Sequence, residues 1–418
     1  MDYFTYKDGQ AYCEDVPLAT IAKEQGTPVY VYSRATLARH CINLREAFAS
    51  YPTLPCFAVK ANSNLSFLQE IFSHGFGADL VSRGELERAL LAGVKPENIV
   101  YSGVGKRLDE IDRALEVGIG SFNVESAYEL RHIEEVAQAK QTSAPITLRV
   151  NPNIDAQTNP KIATGLYSTK FGLAEEDAWQ LIKTIEGSEH LQLVGLSCHI
   201  GSQITSLDPL RNAAARMAEI AQRALDAGHS LKFINMGGGL GIRYKDERPP
   251  SLASYAQTLI DEVSGTGLKL LIEPGRVVAG NTGIVLTRVI GVKKTAKKHF
   301  VVVDAAMNDL LRPSMYGSFH DILPVKQSTD PATELCDIVG PICETGDFLG
   351  QDRTMTLPAE SDLIYVRGCG AYAATMASNY NSRARSTEVL VDGDSYKVIR
   401  PREILADLWG PELAGLES

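Results

Sequence analysis

The sequence predicts an α/β protein: a (β/α)8 barrel plus a C-terminal all-β domain completed by the N-terminal segment. Two rhythms and the size of the chain lead there. From about residue 55 to 275, short apolar runs rich in β-branched residues alternate with longer stretches of helical spacing. After residue 280 strand patterns replace the helical rhythm. A chain of 418 residues, 44% hydrophobic and 22% charged, has an ordinary globular composition. It is long enough for a barrel of ~250 residues and a second domain.

The barrel strands are predicted at Cys56–Lys60, Ala78–Ser82, Ile99–Ser102, Ser121–Val124, Ile146–Asn151, Leu193–His199, Phe233–Met236 and Leu270–Glu273. Between them the spacing is helical: after Asn64, residues Leu65, Leu68, Ile71 and Phe72 share one face. Gly93, Gly118 and Gly228 stand where helices should stop. Eight strand–helix repeats are the (β/α)8 signature, although a doubly wound sheet alternates in the same way.

Beyond the barrel, Ile284–Val292, Phe300–Asp304, Thr387–Val391 and Tyr396–Ile399 read as strands, the last two joined at Asp392-Gly393. Near the N-terminus, Asp8-Gly9 separates Phe4-Thr5-Tyr6 from Ala11-Tyr12-Cys13, and Pro28–Tyr32 is a further apolar run. The expected division is an N-terminal segment, 1–35, joining the β domain, a barrel over 36–281, and a β domain over 282–418.

Lys and Arg number 41 against 51 Asp and Glu, a net charge of −10, with no extended basic block. Nucleic acid and anionic membrane are therefore not expected partners. Lys293–Lys298 reads as a solvated turn between strands. The opening MDYFTYKDGQ lacks the apolar core of a signal peptide, and no window approaches the ~18 apolar residues of a membrane span. Seven scattered Cys form no C-x-x-C pair, and Cys336 and Cys343 are too isolated for zinc, so no metal is expected. Reduced thiols fit a cytoplasmic protein.

Barrel active sites lie at the C-terminal ends of the strands. Those ends carry Lys60, His199, Gly237-Gly238-Gly239 and Glu273-Pro274-Gly275-Arg276. Each alone has a plain reading: a lysine reaching solvent, a hydrogen-bonded histidine, a tight turn, a structural ion pair. Gly237, Gly239 and Gly241 lack the dinucleotide spacing, and Gly105-Lys106 is no phosphate loop, because Arg107 follows and Val100 stands at the first glycine position. Together, a reactive amine, an imidazole, a Gly-rich loop and a carboxylate–guanidinium pair suit a cofactor that is both aldehyde and phosphate, which is pyridoxal 5'-phosphate (PLP). Burial in an apolar strand would free the Lys60 amine for covalent attachment. Glycines would let backbone N–H groups reach the phosphate, a following helix would add its dipole, and a carboxylate would keep the pyridine nitrogen protonated.

The runs Phe57-Ala-Val-Lys60-Ala-Asn62, Ala78-Asp-Leu-Val-Ser-Arg-Gly-Glu85, His199-Ile-Gly-Ser-Gln203, Gly237-Gly-Gly-Leu-Gly241 and Glu273-Pro-Gly-Arg276 resemble the alanine-racemase-like-fold PLP decarboxylases. So do Arg312-Pro-Ser-Met-Tyr316, Gly340-Pro-Ile-Cys-Glu-Thr-Gly-Asp347, Gly370-Ala-Tyr372 and Asn379-Tyr-Asn-Ser-Arg383. The resemblance runs nearly end to end. It implies decarboxylation of meso-2,6-diaminopimelate to L-lysine and CO2 by a homodimer whose active sites lie at the subunit interface.

The roles it implies are these. Lys60 would hold PLP, His199 would stack on its ring, and Glu273 would pair with the ring nitrogen. Ser202, Gly238, Gly239, Gly275, Arg276 and Tyr372 would surround the phosphate. Arg276, Arg312 and Tyr316 would grip the substrate's distal carboxylate, with Glu344 facing its distal amine and Tyr372 closing over the site. Cys343 and Glu344 would reach the partner's cofactor. Asn159-Pro160-Lys161 through Gly165, with Lys170-Phe-Gly172, stands where the family has a loop over the site.

Chemistry supports parts of this independently. Guanidinium forks suit a carboxylate, and gripping the far end of a long substrate fixes the orientation of the bond to be broken. The carbon left by CO2 needs a proton, which a thiol such as Cys343 can give. Ornithine and arginine have no distal carboxylate for Arg312 and Tyr316 to hold, whereas carboxynorspermidine remains open. A racemase would need a base on each ring face, and a silent homologue would have no use for both Lys60 and Cys343.

Overall fold

The computed structural model describes residues 2–156, 164, 170–328, 332–413 and 415–416. The chain divides into two compact units, one formed by 40–243 and 247–277, the other by 1–39, 244–246 and 278–418.

The first unit is a closed barrel of eight parallel strands: β1 (Thr53–Ala58), β2 (Gly77–Leu80), β3 (Ile99–Tyr101), β4 (Ser121–Val124), β5 (Ala144–Arg149), β6 (Leu191–Ser197), β7 (Phe233–Asn235) and β8 (Lys269–Ile272). Each strand pairs with its sequence neighbours, and β8 closes on β1 with Leu270 opposite Thr53. The sheet is therefore singly wound and closed, which settles the alternative of a doubly wound sheet. All eight predicted strands are present, but most end one or two residues earlier than expected. Lys60 falls in a 3-10 turn, Val59–Ala61, and His199, Gly237 and Glu273 lie in the loops just past β6, β7 and β8.

The helices follow local signals. Asn64 caps the helix Leu65–Ser73 by accepting the Ser66 N–H at 3.0 Å, and Ser82 and Ser126 cap two others. Phe67, Leu68, Ile71 and Phe72 are buried there, whereas Leu65, expected on that face, is 41% exposed. As the first helical residue it precedes the turn that packs on the barrel. Helices stop at Gly93, Gly118 and Gly228, whose φ angles of 91°, 72° and 94° are left-handed.

The second unit contains a sheet in the order Phe348–Met355, Glu334–Val339, His299–Val303, Gly283–Lys294, Val29–Ser33, Thr387–Asp392 and Ser395–Arg400. Ile322–Pro324 pairs with Leu363–Val366, which also pairs with Gly283–Lys294. Val29–Ser33 is wholly buried and runs antiparallel to Gly283–Lys294 and parallel to Thr387–Asp392. The N-terminal segment thus supplies an interior strand. Glu14 ties the segments together, its carboxylate accepting from Ser33 Oγ, Ala35 N and Gly393 N at 2.7, 2.9 and 2.7 Å. Phe4, Cys13, Leu18, Val29, Ile284 and Val389 share one apolar core, which is what holds the two chain ends in one unit. The basic run 293–298 spans a strand end and the turn into the next strand, and Lys298 there pairs with Asp337 and Asp352 at 2.8 and 2.7 Å.

Candidate active site

Past the strand ends the barrel's hydrogen bonding continues, which fixes the loops of the rim. Cys198 N donates to Asn235 O, Met236 N to Leu271 O, Glu273 N to Gly237 O and Ala58 N to Pro274 O, at 2.9, 2.9, 2.7 and 3.1 Å. Side chains that follow these positions are carried on rigid backbone.

Lys60 Nζ lies 2.9 Å from Asp79 Oδ2, at the end of β2. The lysine side chain is 43% exposed and the aspartate 1%. The expected desolvation of Lys60 inside an apolar strand is therefore not found: the turn Val59–Ala61 lifts it out of the strand, and an anion replaces the apolar surroundings. The other oxygen of Asp79, Oδ1, is buried and makes no hydrogen bond among the described residues.

Glu273, after β8, accepts from Asn235 Nδ2 at 2.7 Å and from Asn123 Nδ2 at 3.3 Å, both through Oε1. Asn123 Nδ2 also donates to Ser102 Oγ at 2.9 Å. Burial, reinforced by the Asp79 charge, raises the Glu273 carboxyl pKa to about 7, against the opposing pull of Lys60 and the Asn235 hydrogen bond. Such a carboxyl holds a proton readily and would share one with a basic ring nitrogen.

The glycine run builds a backbone cradle. A Cβ on Gly237 would stand 2.5 Å from Cys198 O, one on Gly238 2.2 Å from Glu273 O, and one on Gly239 2.4 Å from Gly201 O. Gly237 and Gly239 also have left-handed φ, 64° and 119°. Gly238 N donates to His199 Nδ1 at 3.2 Å, which places the neutral ring's proton on Nε2. Burial, and then the charges of Arg149 and Lys60, push the His199 pKa well below its ordinary value. A neutral, flat imidazole results. Gln203 clasps Ile242, donating to its O at 2.6 Å and accepting its N–H at 3.2 Å, and so joins the two loops. Arg276 Nη2 donates to Ser202 Oγ at 3.1 Å. Arg276, just after Gly275, begins the four-residue helix Arg276–Ala279 that follows Glu273, but no helix follows the glycine run directly. The next one starts at Leu252, so the dipole expected there does not contribute.

These residues fit PLP by their own geometry: an accessible amine, a carboxyl poised to share a proton, a flat neutral ring, and a cradle too close for any side chain, flanked by an arginine and a serine. Lys106 is otherwise employed. It is buried, bonded to Gly103 O and Asn123 O at 2.8 Å each and paired with Glu129, as befits a lysine outside any phosphate loop.

The second unit holds the remaining predicted residues. Arg312 and Tyr316 share a five-residue helix, with Arg312 5% exposed. Ser314 of that helix donates to Gly346 O at 2.5 Å, linking it to the segment that bears Cys343 and Glu344. Both of these are exposed. Cys343 N donates to Asn381 Oδ1 at 3.3 Å, and Tyr380 Oη donates to Glu344 Oε2 at 3.0 Å. Tyr372 adopts a left-handed φ of 56°, a backbone state unusual for an aromatic residue.

Four residues at the rim escaped prediction: Asp79, Asn123, Asn235 and Arg149. Each sits inside a predicted strand; Asn123 and Asn235 are the last polar residues of theirs, whereas Asp79 and Arg149 are followed by Ser82 and Asn151 and would have needed the true strand ends, at Leu80 and Arg149, to be seen. Arg149 Nη1 lies 3.0 Å from Glu125 Oε1, while Glu125 Oε2 accepts Gly172 N at 3.0 Å and the Phe171 ring packs on the guanidinium. It thus anchors Lys170-Phe-Gly172. Of Asn159 through Gly165, all but Thr164 lie outside the described residues.

Residues 34–280 match the family model of the pyridoxal-dependent decarboxylase pyridoxal-binding domain. The diaminopimelate decarboxylase of Pseudomonas aeruginosa is 47% identical over 412 residues, 99% of either chain. That of Neisseria meningitidis serogroup B is 47% identical over 97% of this chain and 98% of its own. Crystal structures of two diaminopimelate decarboxylases with L-lysine also align closely. The Helicobacter pylori enzyme has a TM-score of 0.92 at 41% identity, covering 95% of this chain and 100% of that one. The M. jannaschii enzyme has 0.93 at 34% identity, covering 98% of each. The chain belongs to the diaminopimelate decarboxylase family of PLP-dependent decarboxylases, which are carbon–carbon lyases. A Vibrio vulnificus lysine/ornithine decarboxylase, 19% identical with a TM-score of 0.79 over 90% of this chain and 97% of that one, shares the fold.

Proposed function

We propose that this chain acts in the cytoplasm as a homodimer, binds PLP at the barrel rim and decarboxylates meso-2,6-diaminopimelate to L-lysine and CO2, the last step of lysine synthesis. The observation that carries this reading is the Lys60, Asp79, Glu273 and His199 cluster beside the Gly237–Gly239 cradle. Bound there, PLP supplies an electron sink for the electron pair left when CO2 departs. The domain division is 1–35, 36–281 and 282–418.

Lys60 Nζ would hold the cofactor covalently, and Asp79 holds that amine in place. Glu273 would share its proton with the ring nitrogen, and the neutral His199 would stack on the ring. Ser202, Gly238, Gly239, Gly275, Arg276 and Tyr372 bind the phosphate. Arg276, Arg312 and Tyr316 hold the distal carboxylate, Glu344 holds the distal ammonium group, and Tyr372 closes the site. Cys343 Sγ then delivers a proton to the substrate Cα, balancing the loss of CO2. Cys343 and Glu344 serve the partner subunit's site.

The test is CO2 release by the PLP-loaded protein from meso-diaminopimelate, L-ornithine, L-arginine and carboxynorspermidine, each offered separately. The expected rate is confined to diaminopimelate, abolished by Lys60→Ala and sharply reduced by Arg312→Ala. Preference for a substrate without a distal carboxylate would overturn the Arg312 and Tyr316 roles. No CO2 from any of them, with PLP bound, would overturn the decarboxylase reading.

A further inference from the structure

Gly317, with a φ of 62°, ends the helix Arg312–Tyr316 and turns the chain back, bringing His320 against Arg312. His320 is fully buried, at 0% exposure. Its Nε2 lies 2.8 Å from Arg312 Nη1, and its Nδ1 lies 2.8 Å from the Arg367 carbonyl oxygen. A carbonyl oxygen only accepts and a guanidinium only donates. The neutral tautomer with its proton on Nδ1 is the one form that satisfies both contacts. Around this bond, Ser318 Oγ lies 3.4 Å from Nη2, and the Tyr244 ring packs 4.6 Å from the Arg312 Cζ. Tyr244 meets the imidazole edge-on, with centroids 5.3 Å apart, and Arg353 Nη2 donates to His320 O at 2.9 Å.

We propose that His320 is a positioning residue: as a neutral acceptor it fixes the plane of Arg312 against Tyr244 and so aims that guanidinium at the distal carboxylate of the substrate. The inference rests on the Arg312 role proposed above. An aspartate or glutamate in this place would also orient the arginine, but its charge would compete with the incoming carboxylate. An imidazole orients without neutralising.

The test uses the PLP-loaded protein with His320→Phe, which keeps an aromatic ring against Tyr244 but removes the acceptor. His320→Gln restores an acceptor through its amide oxygen. L-lysine retains the carboxylate that Arg312 would hold and cadaverine lacks it, so binding of each is followed by the cofactor absorbance band. His320→Phe is expected to raise KM for meso-diaminopimelate and weaken L-lysine roughly tenfold, the scale of one hydrogen bond to a charged group, with cadaverine unchanged. His320→Gln should recover most of the loss. Should His320→Phe fail to fold, His320→Asn serves, since it can still donate to Arg367 O but is too short to reach Arg312.

Unchanged L-lysine binding, or equal weakening of both ligands, would overturn the positioning role. Arg312→Ala separates the two claims. If it keeps the preference for L-lysine over cadaverine, the distal-carboxylate assignment itself fails. If it loses the preference while His320→Phe keeps it, the His320 role alone fails.

Discussion

Asp79 Oδ2 stands 2.9 Å from Lys60 Nζ, so the amine at the barrel rim is held by a carboxylate that is itself buried, 1% exposed. The same aspartate charge acts on Glu273, raising its affinity for a proton. Asp79→Asn keeps the shape of the side chain and removes both effects. The Glu273 titration, followed by carboxyl ¹³C NMR on PLP-free protein, should move below pH 7. CO2 release should fall about tenfold or more, the scale of a charge-assisted hydrogen bond. An unmoved Glu273 midpoint would show that the two carboxylates are not electrostatically linked.

Glu273 also makes the stability of PLP-free protein depend on pH, with a sign opposite to that of a salt-bridged carboxylate. Its pKa rises from 4.5 to about 7 on folding, so between these values the folded state binds more protons than the unfolded one. Stability from this group is full below pH 4.5, declines as pH rises and is lost above about 7. The shift is worth roughly 1–3 kcal/mol. Glu273→Gln keeps an oxygen for Asn235 and cannot ionise. Urea unfolding at pH 5 and pH 8 should therefore give the wild type a decline that the variant lacks. With PLP supplied, the same variant should turn over roughly a hundredfold more slowly, because no carboxyl remains to share the ring nitrogen's proton. A parallel pH dependence in the two proteins would assign the slope elsewhere.

The glycine cradle makes a steric prediction. A methyl group on Gly238 would sit 2.2 Å from the backbone oxygen of Glu273, and backbone cannot swing aside as a long side chain can. Gly238→Ala should lower stability by about 1–3 kcal/mol and weaken PLP binding, read by thermal unfolding and by cofactor absorbance. Gly105→Ala is the control, since its added carbon meets nothing within 4 Å. It should change stability by less than about 0.5 kcal/mol.

The barrel was legible because each of its strands is a compact apolar run followed by a distinct helical period, and a closed parallel sheet buries such runs from both sides. Lys60, His199 and Glu273 stood out because charge or imidazole interrupts those runs at one end. Asn123, Asn235 and Asp79 did not, because a single short polar residue inside an apolar run reads as part of the strand until the barrel brings the ends together. Glu334–Val339 and Phe348–Met355 were missed for a different reason. They are partly exposed and mix charged and apolar residues, and they pair antiparallel with each other at the edge of the sheet, so neither shows a clean apolar alternation. His320 sits in a polar stretch whose meaning depends on the turn at Gly317, which no periodicity announces.

Asp347 controls the segment that bears Cys343 and Glu344. Its Oδ1 accepts Met307 N and its Oδ2 accepts Ile342 N, each at 2.7 Å, and its backbone N–H donates to Glu344 O at 3.0 Å. Burial raises its carboxyl pKa and the two N–H donors oppose the rise, so the group is both confined and bonded through its anionic form. Gly340 is the residue that permits this approach, because a Cβ there would stand 2.5 Å from Asp347 Oδ2. Asp347→Ala leaves two backbone donors without their acceptor and frees the turn ahead of Cys343. Hydrogen exchange at Met307 and Ile342 should quicken, and kcat should fall about tenfold as proton delivery loses its geometry. Neither PLP loading nor the cofactor absorbance band should change, because the bonds of Asp347 go to Met307, Ile342 and Glu344 of its own unit. Faster exchange with an unchanged kcat would show that the thiol needs no such scaffold, and would remove Cys343 from the proton-transfer step proposed for it.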